Sequence, residues 1–539
     1  MTPHLLTALA LSCSAGLGVF LLAWLRPEAW ERAIGPFRSL AERRRTCIIL
    51  AALAGPVIRL LLLPVAPPPE PVAHDDFVHL LAAGTLLHGR LANPPHAHSD
   101  HFETIYVLQR PAYAAKYPLG QAALLAFGKL LTGHYWGGVW IGVALFCAAL
   151  TWFLYRYLPP PWALLGGLYA SLHFGIGSYW MNSYWGGAVA GAGGALTIGA
   201  LGKWRRSGRL RHAGVLAAGW SIVWLTRPYE SVFLGLLIAA AILRHAWREG
   251  SLRAQVPACF VIACAAAPSI LFAALHNRAV TGSPFEMPYQ LARRQYGVPA
   301  AFVWQQPPAE PLKLTASQRG VYRWQLDLHH RATTSVSYNA GRLETVWRFY
   351  VGWGLTIPIL LAAVRYRKAG TWSLLAVLAA ALAWSFLYPT TPPHYVAPYA
   401  AVFLLLAIGS CRTVAPLTVK GLPLGLFLVA AGIMWSVGLS ASGRWMRHNP
   451  GDTPRAMLVR QLENRPGGDL VFVRYGPSHD VHREWVYNQA GIDASLIVWA
   501  NDLGPAENGK LIRYYAGRNV WLLEPDRGAT MHRYESEER

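Results

Sequence analysis

Apolar residues gather into stretches long enough to cross a bilayer of roughly 30 Å. They run approximately over 5–25, 47–66, 136–155, 161–178, 185–202, 211–226, 229–243, 254–275, 348–364, 371–388, 396–411 and 421–440. Each predicts a helix, so about twelve spans are expected. The stretch 119–131 is also apolar but falls well short of the roughly 20 residues a span needs. It predicts a helix lying along the membrane surface. Beyond about residue 441 the pattern shortens to apolar strands at 469–475, 495–499 and 519–523, with helical or turn stretches between them. That pattern predicts a small α/β domain. The expected architecture is therefore an α-helical polytopic membrane domain over 1–440 and a C-terminal α/β domain over 441–539. No internal repeat is visible, which removes one support for a transporter of the inverted-repeat type.

Charge fixes the expected sidedness. The 539 residues are 54% hydrophobic and 14% charged, with a net charge of +21. The basic residues sit in short clusters between apolar stretches: Glu42 to Arg45, Lys203 to Arg211, Arg244 to Arg253, Arg365 to Lys368 and Arg412 to Lys420. They read as topology signals facing the cytoplasm rather than as a nucleic-acid surface. All clusters share one side only if 119–131 does not cross. The outer side then receives the loop 67–135, the turn 178–185, the long segment 276–347, the loop 388–395 and the C-terminal domain. The first apolar stretch has an uncharged flank and is expected to be a retained span. The six cysteines lie in or beside apolar stretches with no metal-ligand spacing and predict packing roles.

Candidate chemistry concentrates in the outer loop 67–135. Asp75 and Asp76 are adjacent carboxylates just outside the membrane, at the start of a helical pattern that reaches Gly89. Like charges this close raise one pKa, and a carboxylate so placed can act as a general base. A helix N-cap explains one of the pair equally well. On the helix, His79 shares a face with both. Lys116, before Tyr117, either snorkels to the interface or holds a phosphate as a point charge at a helix start. His96, His98, Asp100, His101 and Glu103 are ligand types for a divalent cation but match no closed zinc pattern, and a solvated loop explains them more simply. Glu103 stands out as a second acid. His394 and Tyr395 can reach the same pocket. Arg227 pairs locally with Glu230 or contacts substrate. Tyr179, Trp180, Tyr184 and Trp185 suit either sugar stacking or an interfacial aromatic belt. Apart from Arg59, the spans carry few charges away from their ends, unlike ion-coupled transporters.

At these residues the chain resembles the GT-C class of membrane glycosyltransferases, in the broad group of protein mannosyltransferases and aminoarabinose transferases. Asp75 and Asp76 in the first large outer loop, the helix after them, Lys116 to Leu119, and His394, Tyr395 and Pro398 carry the resemblance. It covers roughly the first 240 residues, and the later spans only by topology. The pair is Asp-Asp where Asp-Glu is usual, His79 replaces a frequent aromatic, and Tyr117 precedes a single proline. The resemblance implies transfer of a sugar from a polyprenyl-phosphate donor to an extracytoplasmic glycan, lipid or protein acceptor. It implies Asp75, or Asp76 beside it, as the base and Lys116 as the phosphate ligand. Substrate contacts are expected from Tyr117, Glu103, His79, His394, Tyr395, Arg227, Tyr184 and Trp185. No cofactor is assigned, and a divalent metal ion stays open, with Asp75, His98 and Glu103 as its candidate ligands. The expected setting is the bacterial cytoplasmic membrane, with the active site and C-terminal domain on the periplasmic side and no nucleic-acid partner. Three alternatives stay open: a polymerase or ligase using a lipid diphosphate donor, a lipid-linked-sugar transporter, and an assembly partner with an inactive pocket.

Overall fold

The computed structural model describes residues 3–297, 302–363, 369–441 and 453–535. Helices α1 (Pro3–Leu25), α2 (Pro27–Glu42) and α3 (Arg44–Leu61) lead to α4 (His74–Leu87), the hairpin β1 (Val107–Leu108) and β2 (Ala114–Ala115), and α5 (Gly120–Thr132). Next come α6 (Trp136–Tyr157), α7 (Pro160–Gly175), α8 (Ala188–Ser207), α9 (Leu210–Thr226), α10 (Pro228–Glu249) and α11 (Val256–Thr281). Then follow α12 (Pro288–Tyr296), α13 (Ala316–Thr334), α14 (Val336–Tyr350), α15 (Gly352–Ala363), α16 (Ala369–Phe386), α17 (Ala400–Val414) and α18 (Leu424–Ala441). The C-terminal domain contains α19 (Pro454–Glu463), β3 (Asp469–Val473), β4 (Ile497–Asn501), α20 (Pro505–Tyr514), β5 (Asn519–Glu524) and β6 (Thr530–Arg533).

Every apolar stretch expected to cross forms a helix. Among the described residues, 5 helices are long and apolar enough to cross a membrane, or up to 6 when a bent pair counts as one span. The multi-pass architecture stands, but a count of twelve does not follow from helix length. Several expected spans differ in detail: α3 ends at Leu61, and α8 and α10 run on to Ser207 and Glu249. The helix expected to end at 275 continues to Thr281. The stretch 348–364 is broken, because α14 and α15 meet at 93°. Gly352 at the bend has φ +69°, a conformation that costs glycine little. The basic cluster Arg365 to Lys368 and the start of the C-terminal region, 442–452, lie outside the described residues.

α5 forms where the surface helix is expected. Its 13 residues span about 20 Å, too short to cross. It packs against α4 and α6. The contact with α6 is backbone to backbone: a Cβ on Gly128 would lie 1.9 Å from the Gly138 amide nitrogen. Arg59, the charge inside an early apolar stretch, is buried and fully engaged. It donates to Asn182 Oδ1 and to the carbonyls of Ala66 and Pro67, and lies over the Trp136 ring. It pins the exit of α3 to the loop after α7.

The C-terminal sheet has the order β4-β3-β5-β6, with the first three strands parallel and β6 antiparallel. β6 and the small hairpin β1–β2 were not foreseen from the pattern. Leu470, Phe472, Val498 and Ala500 join the large core shared with the membrane domain. Val471, Val473, Trp499 and Leu523 pack instead with Leu458 and Leu462 of α19. Both faces are covered, which is why these strands read as nearly continuous apolar runs. All six cysteines are free.

Gly128→Val places side-chain atoms inside the α5–α6 contact, and overpacking of this kind costs about 1–3 kcal/mol or more. The expected outcome is a lower unfolding temperature in detergent with loss of monodisperse protein. An unchanged melting curve would show that the two helices do not touch in this way.

Candidate active site

The site starts from α4, which separates its two aspartates by geometry. Successive helix residues point about 100° apart. Asp76 turns inward and is 1% exposed. One of its oxygens accepts the N–H groups of Val72 and Ala73, at 3.2 and 3.0 Å. The other accepts the N–H of Tyr184 at 2.8 Å. Burial pushes this carboxyl up to about 7, opposed by the three backbone donors. Asp76 is thus the cap of α4 and its tie to the loop after α7. Asp75 turns the other way and accepts the hydroxyl of Tyr117 on Oδ1. One turn on, His79 stacks on the Tyr117 ring, with centroids 5.0 Å apart. Burial drives His79 down to about 4, and its Nδ1 has no hydrogen-bond partner.

Lys116 comes from the hairpin. Val107 pairs with Ala115 and Leu108 with Ala114, so Tyr106 and Lys116 flank the strands. The Lys116 N–H donates to the Tyr106 carbonyl. Tyr106 has φ +67°, a left-handed conformation unusual for an aromatic residue. In that conformation its ring lies 3.1 Å from Lys116 Nζ. Tyr117 and Tyr289 complete the enclosure at 5.1 and 6.0 Å. Lys116 is 3% exposed, so it does not snorkel. Burial lowers it to about 7, with Asp75 pulling in the other direction. Among the described residues it has no salt bridge; its charge is met by tyrosine faces.

Arg227 and the loop before α17 close the opposite wall. Among the described residues Arg227 and Glu230 make no direct salt bridge, although each charge stabilises the other through space. Arg227 lies over the Tyr395 ring at 4.9 Å. His394 Nδ1 is 3.2 Å from the Tyr179 hydroxyl, and its ring meets Trp185 edge-on at 4.8 Å. Burial and Arg227 hold His394 well below the usual imidazole range. Tyr179, Trp180 and Tyr184 are buried, so they form neither an exposed belt nor an open platform. Tyr184 instead anchors the α3 exit by donating to the Pro69 carbonyl. Trp185 is only half-buried.

From Tyr289 an apolar cleft runs between α9 and α11. Leu119, Leu225, Phe272 and Ala273 line it, with His276 and Asn277 at one side.

Other expected residues lie elsewhere. Glu103 accepts from Gln318 of α13. His101 is buried against Asn501 of the C-terminal domain, and His96 meets Asp493 there. His98 contacts the ring of Tyr514. The loop 93–103 is therefore part interface, through His96, His98 and His101, and part solvated, at Pro94, Pro95, Ala97 and Asp100. Asp75, His98 and Glu103 share no partner, and among the described residues no group of three or more His, Cys, Asp or Glu side chains could hold a metal ion. Tyr106 and Tyr289 were missed in sequence. They reach Lys116 from outside its own segment or across a tight hairpin, and neither sits in a distinctive motif.

No family model and no curated protein matches the sequence. Solved structures do. ArnT from Cupriavidus metallidurans in the apo state is similar with a TM-score of 0.51 at 11% identity, covering 88% of this chain and 93% of that one. ArnT from the same organism, bound to undecaprenyl phosphate, gives a TM-score of 0.50 at 10% identity, over 89% and 93% of the two chains. The fold is that of the GT-C glycosyltransferases. At such identities the likeness speaks for the GT-C fold alone. The resemblance first drawn from Asp75, Asp76 and Lys116 therefore holds at the level of the fold.

The two aspartates should separate in a stability measurement. Asp76→Asn must turn its NH2 toward either the Tyr184 N–H or the Val72 and Ala73 N–H groups, and is expected to cost about 1–3 kcal/mol. Asp75→Asn, which affects one hydroxyl contact, should cost less than half as much. Equal losses in detergent unfolding would contradict the division of labour.

Proposed function

We propose that this protein is a membrane glycosyltransferase that moves a sugar from a polyprenyl-phosphate donor to an acceptor hydroxyl outside the membrane. One observation carries the reading: Lys116, buried and without a salt bridge among the described residues, faces the ring of Tyr289, which also lines the apolar cleft, and the half-buried Asp75 acts on it through space. An ammonium in such a place is completed by an anion, and an apolar cleft leading to it suits an anion attached to a hydrocarbon chain. The similar ArnT structure bound to undecaprenyl phosphate supports the same class of donor.

In this reading the prenyl chain occupies the cleft beside Leu119, Leu225 and Phe272. The phosphate meets Lys116, and Arg227 faces it from the other wall. The sugar lies toward His79, Trp185 and His394. Tyr395 holds Arg227 in place, and Tyr184 and Asp76 shape the floor. Tyr117 carries the base. Asp75 takes the proton as the acceptor oxygen forms its bond to the anomeric carbon. The bond from that carbon to the phosphate oxygen breaks, and its electron pair leaves with polyprenyl phosphate. Lys116 stabilises the charge that develops there. A direct displacement inverts the anomeric configuration. The expected location is a bacterial cytoplasmic membrane, with this end of the molecule on the periplasmic side, where the acceptor would be a glycan, lipid or protein. A second reading draws on Arg227, a second cation on the opposite wall that makes no salt bridge among the described residues and would meet a second phosphate. A lipid diphosphate donor is therefore the competing substrate.

The test supplies polyprenyl monophosphate and diphosphate sugars to membranes holding the wild type or Asp75→Asn, and follows the released lipid by mass spectrometry. Release from monophosphate donors that falls by about 100-fold or more in Asp75→Asn is expected. Release that ignores the substitution would remove Asp75 from the reaction, and release from diphosphate donors only would select the competing substrate.

Lys116 sets a pH dependence for donor binding. Its ammonium is lost as pH rises through about 7, and the phosphate binds the charged form. Donor affinity should therefore weaken about tenfold from pH 6 to pH 8. Lys116→Met should bind weakly with a flat profile. A steep profile surviving in that variant would place the phosphate elsewhere.

A further inference from the structure

The C-terminal domain does more than lie beside the site. Its Tyr487 ring stacks on Phe77 of α4, with centroids 4.5 Å apart and planes at 6°. Arg455 backs the stack, lying 4.7 Å from the Phe77 ring and donating to the Tyr487 carbonyl. The Tyr487 hydroxyl donates to the Ile105 carbonyl at 3.1 Å and lies 2.9 Å from His74 Nδ1. Because the hydroxyl has one proton, the His74 N–H is the donor in the second bond. His74 immediately precedes Asp75. Ile105 immediately precedes Tyr106, the ring closest to Lys116. A single hydroxyl therefore joins the residue before the proposed base to the residue before the wall of the phosphate site.

We infer that Tyr487 is a positioning residue: it pins the helix carrying Asp75 to the strand leader that shapes the Lys116 enclosure, making the C-terminal domain part of the active site. The backbone explains why a pin is needed. Tyr106 is held at φ +67°, and such conformations persist only where their surroundings over-determine them. Three contacts hold it. Tyr487 takes the carbonyl before it, the Lys116 N–H takes its own carbonyl, and Gln325 donates to its hydroxyl. Without the Tyr487 hydroxyl one of these is lost, and residues 105 and 106 relax toward ordinary backbone angles. The Tyr106 ring then leaves Lys116, and the spacing to Asp75 changes. The Tyr113 hydroxyl, which donates to the Asn488 carbonyl, ties the far strand of the hairpin to the same domain segment.

The test compares wild type with Tyr487→Phe, which keeps the stack on Phe77 and removes both hydrogen bonds, and with Tyr487→Ala, which removes everything. Intact protein in detergent is treated with N-hydroxysuccinimidyl acetate, and acetylation of each lysine is followed by peptide mass spectrometry. Lys129 and Lys510, both exposed, are internal references. Lys116 should be acetylated at least about threefold faster in Tyr487→Phe, with the references unchanged; a threefold rate change corresponds to a small shift in opening equilibrium. Lys116 reacting at the wild-type rate in Tyr487→Phe would overturn the proposal. This arm needs no turnover, so it decides even if the glycosyltransferase reading fails. The second arm rests on that reading: Tyr487→Phe should lower kcat by about tenfold with donor KM within about twofold. A variant that loses activity only in proportion to its folded fraction would show a structural role and count against positioning.

Discussion

A buried ammonium is the constraint around which this end of the molecule is arranged. Desolvating a lone cation is costly, and the protein meets the cost at Lys116 without supplying a salt bridge. Tyr106, Tyr117 and Tyr289 present ring faces, each a modest attraction that strengthens when water is excluded. Asp75 acts through space, and the residual penalty appears as the lowered pKa. An arrangement tuned only for stability would place a carboxylate against the amine or replace the lysine with an apolar residue. Leaving the charge incompletely met preserves its capacity to bind an anion.

The adjacent aspartates show how one helix turns similar residues to different tasks. Asp76 spends its oxygens on three backbone N–H groups and fixes where α4 begins and what it packs on. That anchoring sets the rotation of the helix, and the rotation aims Asp75 and His79 at the same tyrosine. The cap and the proposed base are thus coupled through about 100° of helix rotation. Arg59 performs a parallel task at the α3 exit, where its three hydrogen bonds hold the two loops that frame α4.

Local pattern made much of this legible. Long apolar stretches predicted the helices, the short one predicted α5, and the apolar runs at 469–475, 495–499 and 519–523 predicted three of the four strands in the C-terminal sheet. Asp75, His79, Lys116, Tyr117, Arg227 and Tyr395 were selected from four separate segments, and the fold gathers them. What escaped depends on distance along the chain. Tyr289 reaches Lys116 from α12, and Tyr487 reaches Phe77 from a different domain. Nothing in the residues around either tyrosine announces the contact. Depth was equally hidden: a lysine beside a membrane helix looks the same whether it snorkels or is enclosed. The loop 93–103 misled in part for a related reason, because its histidines serve an interface that only the C-terminal domain completes. β6, with exposed and charged positions, lacks the apolar run that identifies its neighbours.

The position of the site at a seam follows from these needs. In the proposed reaction a prenyl chain arrives from the bilayer and an acceptor from the aqueous side, so the reacting groups belong where the two meet. That reaction needs water kept from the junction, because both the proposed attraction of Lys116 for a phosphate and the proposed basicity of Asp75 weaken as the local dielectric rises. Membrane helices close the site on the side of the cleft. They offer nothing to close it on the other, where the hairpin and the start of α4 would stand in solvent. The C-terminal sheet supplies that cover, with one face continuous with the main core and Tyr487 at the point of contact. Enclosure from two sides by separate parts of the chain makes a buried charge tolerable while leaving each substrate its own approach.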